Sequence, residues 1–252
     1  MGSVNKQPVS YLQTDKRWKS LPYRVKGETA TIGGSGCGPT AAAMAIETLT
    51  GQTFTPVDAC KWSVDHGYKA LNAGTYYSYF VPQFKAFGVD CKQLLGSSLH
   101  NKPGHPIHDQ VRRYLEEGYY VIALMGPGTW TSGGHYILLW AWDDKVRINA
   151  PASTKDKRLN GDPETFKREV KQYWLIDARD YNQEDDIVSY DKFKEYMEQY
   201  ETEKAALPTP AWAVQTGEWI QAHEAGIIAD LSRPQSHVTR AEAAAMVMRS
   251  KK

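Results

Sequence analysis

The sequence predicts an α+β domain over residues 1–180 and a small helical module after it. Three observations carry this. Helical patterns fill residues 38–117, and strand-like apolar runs follow from 119 to 176. Helices first and strands second fits segregated layers rather than alternating parallel βα units. After residue 180 the chain turns charged and then reaches Leu207-Pro208-Thr209-Pro210, a boundary signal. At 252 residues there is room for one mid-sized domain and something small.

Each element has its own justification. Residues 38–50 form a helix of small residues closed by Gly51, as expected of a helix packed closely in a core. Thr55-Pro56-Val57-Asp58 starts a second helix through Ala59, Trp62 and His66, ending at Gly67. A third runs through Tyr79, Phe80 and Phe84 and stops before Gly88, and a fourth covers 107–117. Residues 119–125 read as a strand. Residues 136–142 and 146–151 read as two more, joined by a turn at Asp143-Asp144-Lys145 and ended by Pro151. Residues 173–176 are the last strand. Beyond them Asp185-Asp186 sits in a solvated linker, 181–207. Within it Phe193, Tyr196, Met197 and Tyr200 mark one helical stripe over 190–206.

Composition excludes several classes of function. Lys and Arg total 30 against 29 Asp and Glu, so there is no nucleic-acid footprint. Mean hydropathy is −0.55 and no apolar run approaches membrane-spanning length. The N-terminus has no apolar core of a signal peptide, and Met1-Gly2-Ser3 is compatible with a cloning remnant. Three cysteines without framework spacing fit a chain made in a reducing cytosol, with Cys60 and Cys91 structural. His100, His105 and His108, near Cys91 and Asp109, match no established metal spacing and lie in a Pro- and Gly-rich loop. Neither a metal nor a cofactor is expected.

The chemistry centres on Ser35-Gly36-Cys37-Gly38-Pro39-Thr40, a cysteine at the first turn of a helix. The helix dipole and its unpaired N–H groups favour a thiolate, which is the nucleophilic form. Gly36 and Gly38 would let a substrate backbone come close. Alone, the cysteine is equally compatible with a buried residue in a capping turn. A partner tips the balance: Gly133-Gly134-His135 opens the strand at 136, which sets a histidine at a cleft mouth. Asn149 is a candidate to orient that histidine. Trp130 and Gly134 are candidate cleft walls, Trp130 because an aromatic offers large contact area with few degrees of freedom.

These residues resemble a family. Gly36-Cys37-Gly38-Pro39-Thr40, Gly133-Gly134-His135-Tyr136-Ile137 and Asn149-Ala150-Pro151 are similar to motifs of the double-glycine-peptidase-like cysteine peptidases of the papain clan, in the family's order. Tyr11-Leu12-Gln13-Thr14-Asp15 adds to the likeness, which spans residues 9–177. The resemblance implies a papain-like fold, with the nucleophile on a helix and the base on an antiparallel sheet. It implies that Gln13 donates to the oxyanion beside the Cys37 N–H. One position departs: the family usually has aspartate where this chain has Ala150. With a two-residue turn at 143–144, Ala150 shares the His135 face; with a three-residue turn, Asn149 does. A Cys37–His135 dyad, or a carboxylate from elsewhere, are the other arrangements.

Residues 208–250, with Trp212, Trp219, Thr239 and Glu242, resemble a single S-layer-homology-type motif of envelope proteins and phage lysins. Thr239 and Glu242 also form a capping box. One copy buries little core, so the module is expected to dock on the peptidase or on a second copy through dimerisation. The two resemblances together imply a phage or prophage endolysin, made in the cytoplasm and acting on cell-wall peptidoglycan or another wall polymer. The alternatives are a cysteine peptidase acting on protein or leader peptides, and a catalytically silent wall-binding protein.

Overall fold

A computed structural model describes residues 5–182, 190–208, 211–227 and 247. The chain divides into two compact units, residues 1–183 and 184–252. Met1-Gly2-Ser3, Asp185-Asp186 and the capping box at Thr239 and Glu242 lie outside the described residues.

The first unit has the α+β architecture that the sequence predicts. Its first helices are α1 (Ile32–Ser35), α2 (Cys37–Thr50), α3 (Pro56–Asp65), α4 (Phe80–Lys85) and α5 (Ile107–Glu116). Gly51 ends α2 in the left-handed conformation, with φ 67°, and a Thr55–Asp58 capping box opens α3. Helix α2 is apolar on nearly every side and fully buried from Ala41 to Ile46. Its alanines let it lie close to the sheet and to α3.

The sheet has six strands: β1 (Cys91–Gln93), β2 (Tyr120–Met125), β3 (His135–Trp142), β4 (Val146–Asn149), β5 (Asn160–Gly161) and β6 (Val170–Ile176). All pair antiparallel in the order β1-β6-β2-β3-β4-β5. Side chains alternate between two cores. Tyr136 and Leu138 join α2 and α4 on one face, while Ile137, Leu139 and Val146 join α5 on the other. The short edges β1 and β5 and the first half of β6 were not legible as strands. They contain polar residues, and their pairing is set by distant neighbours. Helices α6 (Asp156–Leu159) and α7 (Pro163–Glu169) connect β4 to β6 through β5.

The unit reaches past the expected boundary at 180. Helix α8 (Arg179–Asn182) closes it, because the Asn182 amide donates to Gly118 O (2.9 Å) and its oxygen accepts from Lys6 N (2.9 Å). The extended arm before Tyr11 is fixed along the same body. Val9 N donates to Thr48 Oγ1 and Tyr120 Oη to Lys6 O.

The second unit contains α9 (Tyr190–Ala205), α10 (Ala211–Thr216) and α11 (Glu218–Glu224), with Gly217 at φ 68° between the last two. Tyr196, Met197 and Tyr200 are exposed along α9. No helix among the described residues is long and apolar enough to cross a membrane.

Candidate active site

Cys37 is the first residue of α2, and His135 is the first residue of β3. Helix and strand pack together, which brings residues 98 positions apart to one cleft of about 660 Å³. Gln13, Trp130 and Gly134 line the same cleft. Five sequence-predicted site residues are therefore brought together.

Gln13 is fixed at both ends. Its N–H donates to Pro151 O (2.7 Å) and its Nε2 to Gly33 O (2.8 Å), while Oε1 is buried without a partner. One Nε2 hydrogen stays available to a developing oxyanion, which suits the role that the resemblance implies. Trp130 is almost wholly buried. Its ring packs edge-on against Phe166 and its Nε1 donates to Arg158 O (2.9 Å), so it belongs to the core as much as to the cleft wall.

Gly36 and Gly38 do not line the cleft. A Cβ on Gly36 would meet Ile32 O at 2.6 Å. One on Gly38 would meet Thr75 Oγ1 at 3.0 Å and Tyr136 Cδ2 at 3.2 Å. These glycines admit α1 and β3 to the nucleophile's turn, not a substrate backbone. The contact is close enough for the Tyr136 N–H to support the Cys37 sulfur.

Asn149 is not brought to His135. Its Nδ2 donates to Pro8 O (3.0 Å) and Val9 O (3.1 Å), and its oxygen accepts from Gln7 Nε2 (3.4 Å). The reason is register. The β3–β4 loop has three residues, since Trp142 pairs with Val146, and a three-residue turn alone would place Asn149 on the His135 face. A bulge at Trp140 then adds one residue to β3, so Leu138 pairs with Asn149. Ala150 follows on the face of His135 and Ile137, and packs in the same core as Ile137 and Trp130. The position that shares the histidine's face of the hairpin is thus an alanine.

Electrostatics also depart from expectation. Cys37 is buried, and burial pushes its thiol up. The N–H groups of Tyr136, Gly38 and Cys37 itself pull the other way without prevailing. The thiolate expected from the helix N-terminus is therefore not the resting form. Burial holds His135 down at about 4, and the Arg158 charge adds to it. Its imidazole has no hydrogen-bond partner among the described residues. Thiol and imidazole rest as a neutral pair.

Three supports carried little local sequence signal. Lys69 and Glu28 form a buried ion pair at 2.7 Å, with Lys69 also donating to Ala70 O and Ala73 O. Asn72 N donates to Glu28 Oε2 (2.8 Å), which fixes the far wall of the cleft. On the near side Glu169 accepts from Thr129 N (2.6 Å) and Thr129 Oγ1 (3.1 Å), and so orders the loop that leads to His135. Gly128, at φ 155°, lets that carboxylate approach; Gly126-Pro127-Gly128 was the only hint. Among the histidines set aside as ligands, His108 is a bonded core residue, with Nδ1 at 2.9 Å from Tyr173 Oη and Nε2 at 3.0 Å from Lys102 O. No cluster able to hold a metal occurs among the described residues.

A search of curated proteins finds no match. The model of the Peptidase_C39 like family matches residues 11–182, about two-thirds of the chain and nearly all of the first unit. With a helix-borne cysteine and a strand-borne histidine on one cleft, the chain belongs to the peptidase C39-like family, a family of cysteine peptidases.

Proposed function

We propose that the chain is a cysteine endopeptidase in which Cys37 is the nucleophile and His135 the base. The observation that supports this is their shared cleft with Gln13. Cys37 Sγ attacks a peptide carbonyl while its proton passes to the His135 imidazole. The Cys37 N–H and Gln13 Nε2 hold the oxyanion. The imidazolium returns the proton to the leaving amine as the C–N bond breaks, leaving a thioester. Water then gives a proton to His135, its oxygen bonds to the carbonyl carbon, and the sulfur leaves and recovers the proton. No metal takes part.

The substrate on this reading is a peptide of the bacterial cell wall, in the stem or cross-bridge of peptidoglycan, and the enzyme is endolysin-like. Support comes from the S-layer-homology-like sequence at 208–250, of which residues 209–210, 228–246 and 248–250 lie outside the described residues. That module recognises wall polymer and residues 1–180 cut. Mass spectrometry of purified wall after digestion tests both parts. New amino and carboxyl ends at one peptide linkage support the reading, and intact muropeptides overturn it. A chain stopped at Ala206 should still cut soluble wall peptides but cease to sediment with walls.

A second reading, a catalytically silent wall-binding protein, draws on Ala150 and on the neutral Cys37–His135 pair. Turnover of any soluble wall peptide by the full chain excludes it.

A further inference from the structure

The far wall of the cleft hangs on one buried ion pair. Glu28 and Asn72 both line the cleft, from segments far apart in sequence. Lys69 Nζ donates to Glu28 Oε1 (2.7 Å), to Ala70 O (2.8 Å) and to Ala73 O (2.7 Å), so each of its three hydrogens has an acceptor. The Glu28 carboxylate also accepts from Val25 N (3.0 Å) and Asn72 N (2.8 Å). The Lys69 side chain is 0 % exposed and that of Glu28 3 %. Two charges buried this deeply persist only where further hydrogen bonds offset their lost hydration.

Those bonds converge on one strained turn. Asn72 is an exposed, non-glycine residue at φ 53°. Such a conformation is kept where its surroundings over-determine it. Here Glu28 holds the N–H of Asn72 itself, and Lys69 holds the carbonyls of Ala70 and Ala73 on either side. The base of the same wall is fixed separately. Thr75 Oγ1 shares a hydrogen bond with Tyr23 Oη (2.7 Å), and Tyr136 Oη donates to Thr75 O (3.3 Å). The reacting groups have other supports again: α2 carries Cys37, β3 carries His135, and Gly33 and Pro151 hold Gln13. Loss of the ion pair therefore frees the tip at 70–73 and leaves nucleophile, base and oxyanion donor in place.

We propose that Glu28 and Lys69 are positioning residues for the substrate. They hold the wall against which the peptide lies, and so set its affinity without entering the chemistry. This rests on the peptidase reading and adds to it the wall that confers affinity.

The test uses the full chain with Glu28→Gln and Lys69→Met together, which removes both charges and leaves neither buried alone. On a soluble wall peptide, KM should rise about tenfold or more while kcat stays within about twofold of the wild type. The peptide's Kd, measured by calorimetry in a Cys37→Ala background, should weaken by the same factor. Asn72→Pro is the second variant, because it removes the N–H and the left-handed φ at the exposed tip and touches neither buried charge. It should raise KM in the same way. A fall in kcat as large as the rise in KM, or an unchanged KM in either variant, overturns the proposal. An arm without substrate follows amide hydrogen exchange by NMR. In the double variant the Asn72 N–H should exchange at least about tenfold faster, with the Cys37 and Tyr136 N–H groups unaltered. Unchanged protection at Asn72 overturns the proposal whether or not the chain cuts peptides. Binding without cleavage in the wild type refutes only the peptidase reading, and undiminished affinity in the double variant refutes only the positioning role.

Discussion

The two halves of the active site are built by different physics. The cysteine half is a helix start whose every requirement is local: a small residue on each side, Pro39 in the first turn, then a run of alanines. The histidine half is the start of an interior strand whose geometry depends on a bulge five residues away at Trp140 and on a partner strand. The helix half tolerates little change because it is packed from all sides. The sheet half has accepted an alanine where a polar group would orient the base. What this teaches is that nucleophile placement here is over-determined, whereas the base has no hydrogen-bonded orienting partner among the described residues.

The comparison breaks most sharply at its centre. Cys37→Ala should abolish hydrolysis of soluble wall peptides, by at least about 10⁴-fold, with an unchanged circular dichroism spectrum. Chelators should leave the wild type unaffected. Residual cutting at the wild-type rate would remove the cysteine mechanism altogether.

Next in size is Gly38→Ala, which tests how tightly the helix half is seated. The new methyl must displace Thr75 or Tyr136 from contacts of 3.0–3.2 Å. A loss of about 1–3 kcal/mol in stability is expected, together with about a hundredfold drop in kcat as α2 moves off β3. Denaturant melts and single-turnover kinetics report the two effects separately. A fully active and stable variant would mean that the helix–strand contact does not set the nucleophile.

The sheet half answers to pH. His135 stays neutral in the native protein down to about 4, whereas in the unfolded chain it takes up a proton near its ordinary value. The unfolded state therefore binds more protons between about pH 6.5 and 4, and stability falls as the pH drops through that window. The contribution approaches about 3 kcal/mol at the lower end. His135→Gln should flatten this part of the stability curve, measured by urea midpoints at successive pH values. An identical slope in the variant would place the proton uptake elsewhere.

The smallest effect is expected at Asn149. Asn149→Ala leaves Pro8 O and Val9 O without their donor, which should lower stability by about 1–2 kcal/mol. Turnover should be unchanged, because the amide does not reach His135. A large fall in kcat at constant KM would restore Asn149 as the orienting residue.

Much of the fold was legible because its signals are short in range. Gly51, the Thr55–Asp58 box and the apolar run at 120–125 declare their elements within a few residues. Cys37 and His135 were legible for the same reason, each having a distinctive local setting. Gln13 was found only through family likeness, since nothing local marks a glutamine that bonds Pro151 and Gly33. Asn149 was misplaced because face assignment depends on the parity of residues along a hairpin, and a single bulge reverses it. Glu28, Lys69, Arg158 and Glu169 act through bonds to residues 29–44 positions away, a range at which composition and periodicity say nothing.

The arm at residues 5–10 has a practical consequence. It touches Thr48 on the helix that begins with Cys37 and Asn149 on the strand next to that of His135, and it reaches Tyr120 and Asn182 as well. One strip of backbone thus laces together both walls of the reaction chamber and the end of the first unit. The family match begins only at residue 11, so trimming an expression clone to that boundary would cut every one of these stitches. A proteolytic nick in the arm would act at the same points, which makes the arm a natural fuse for the whole unit.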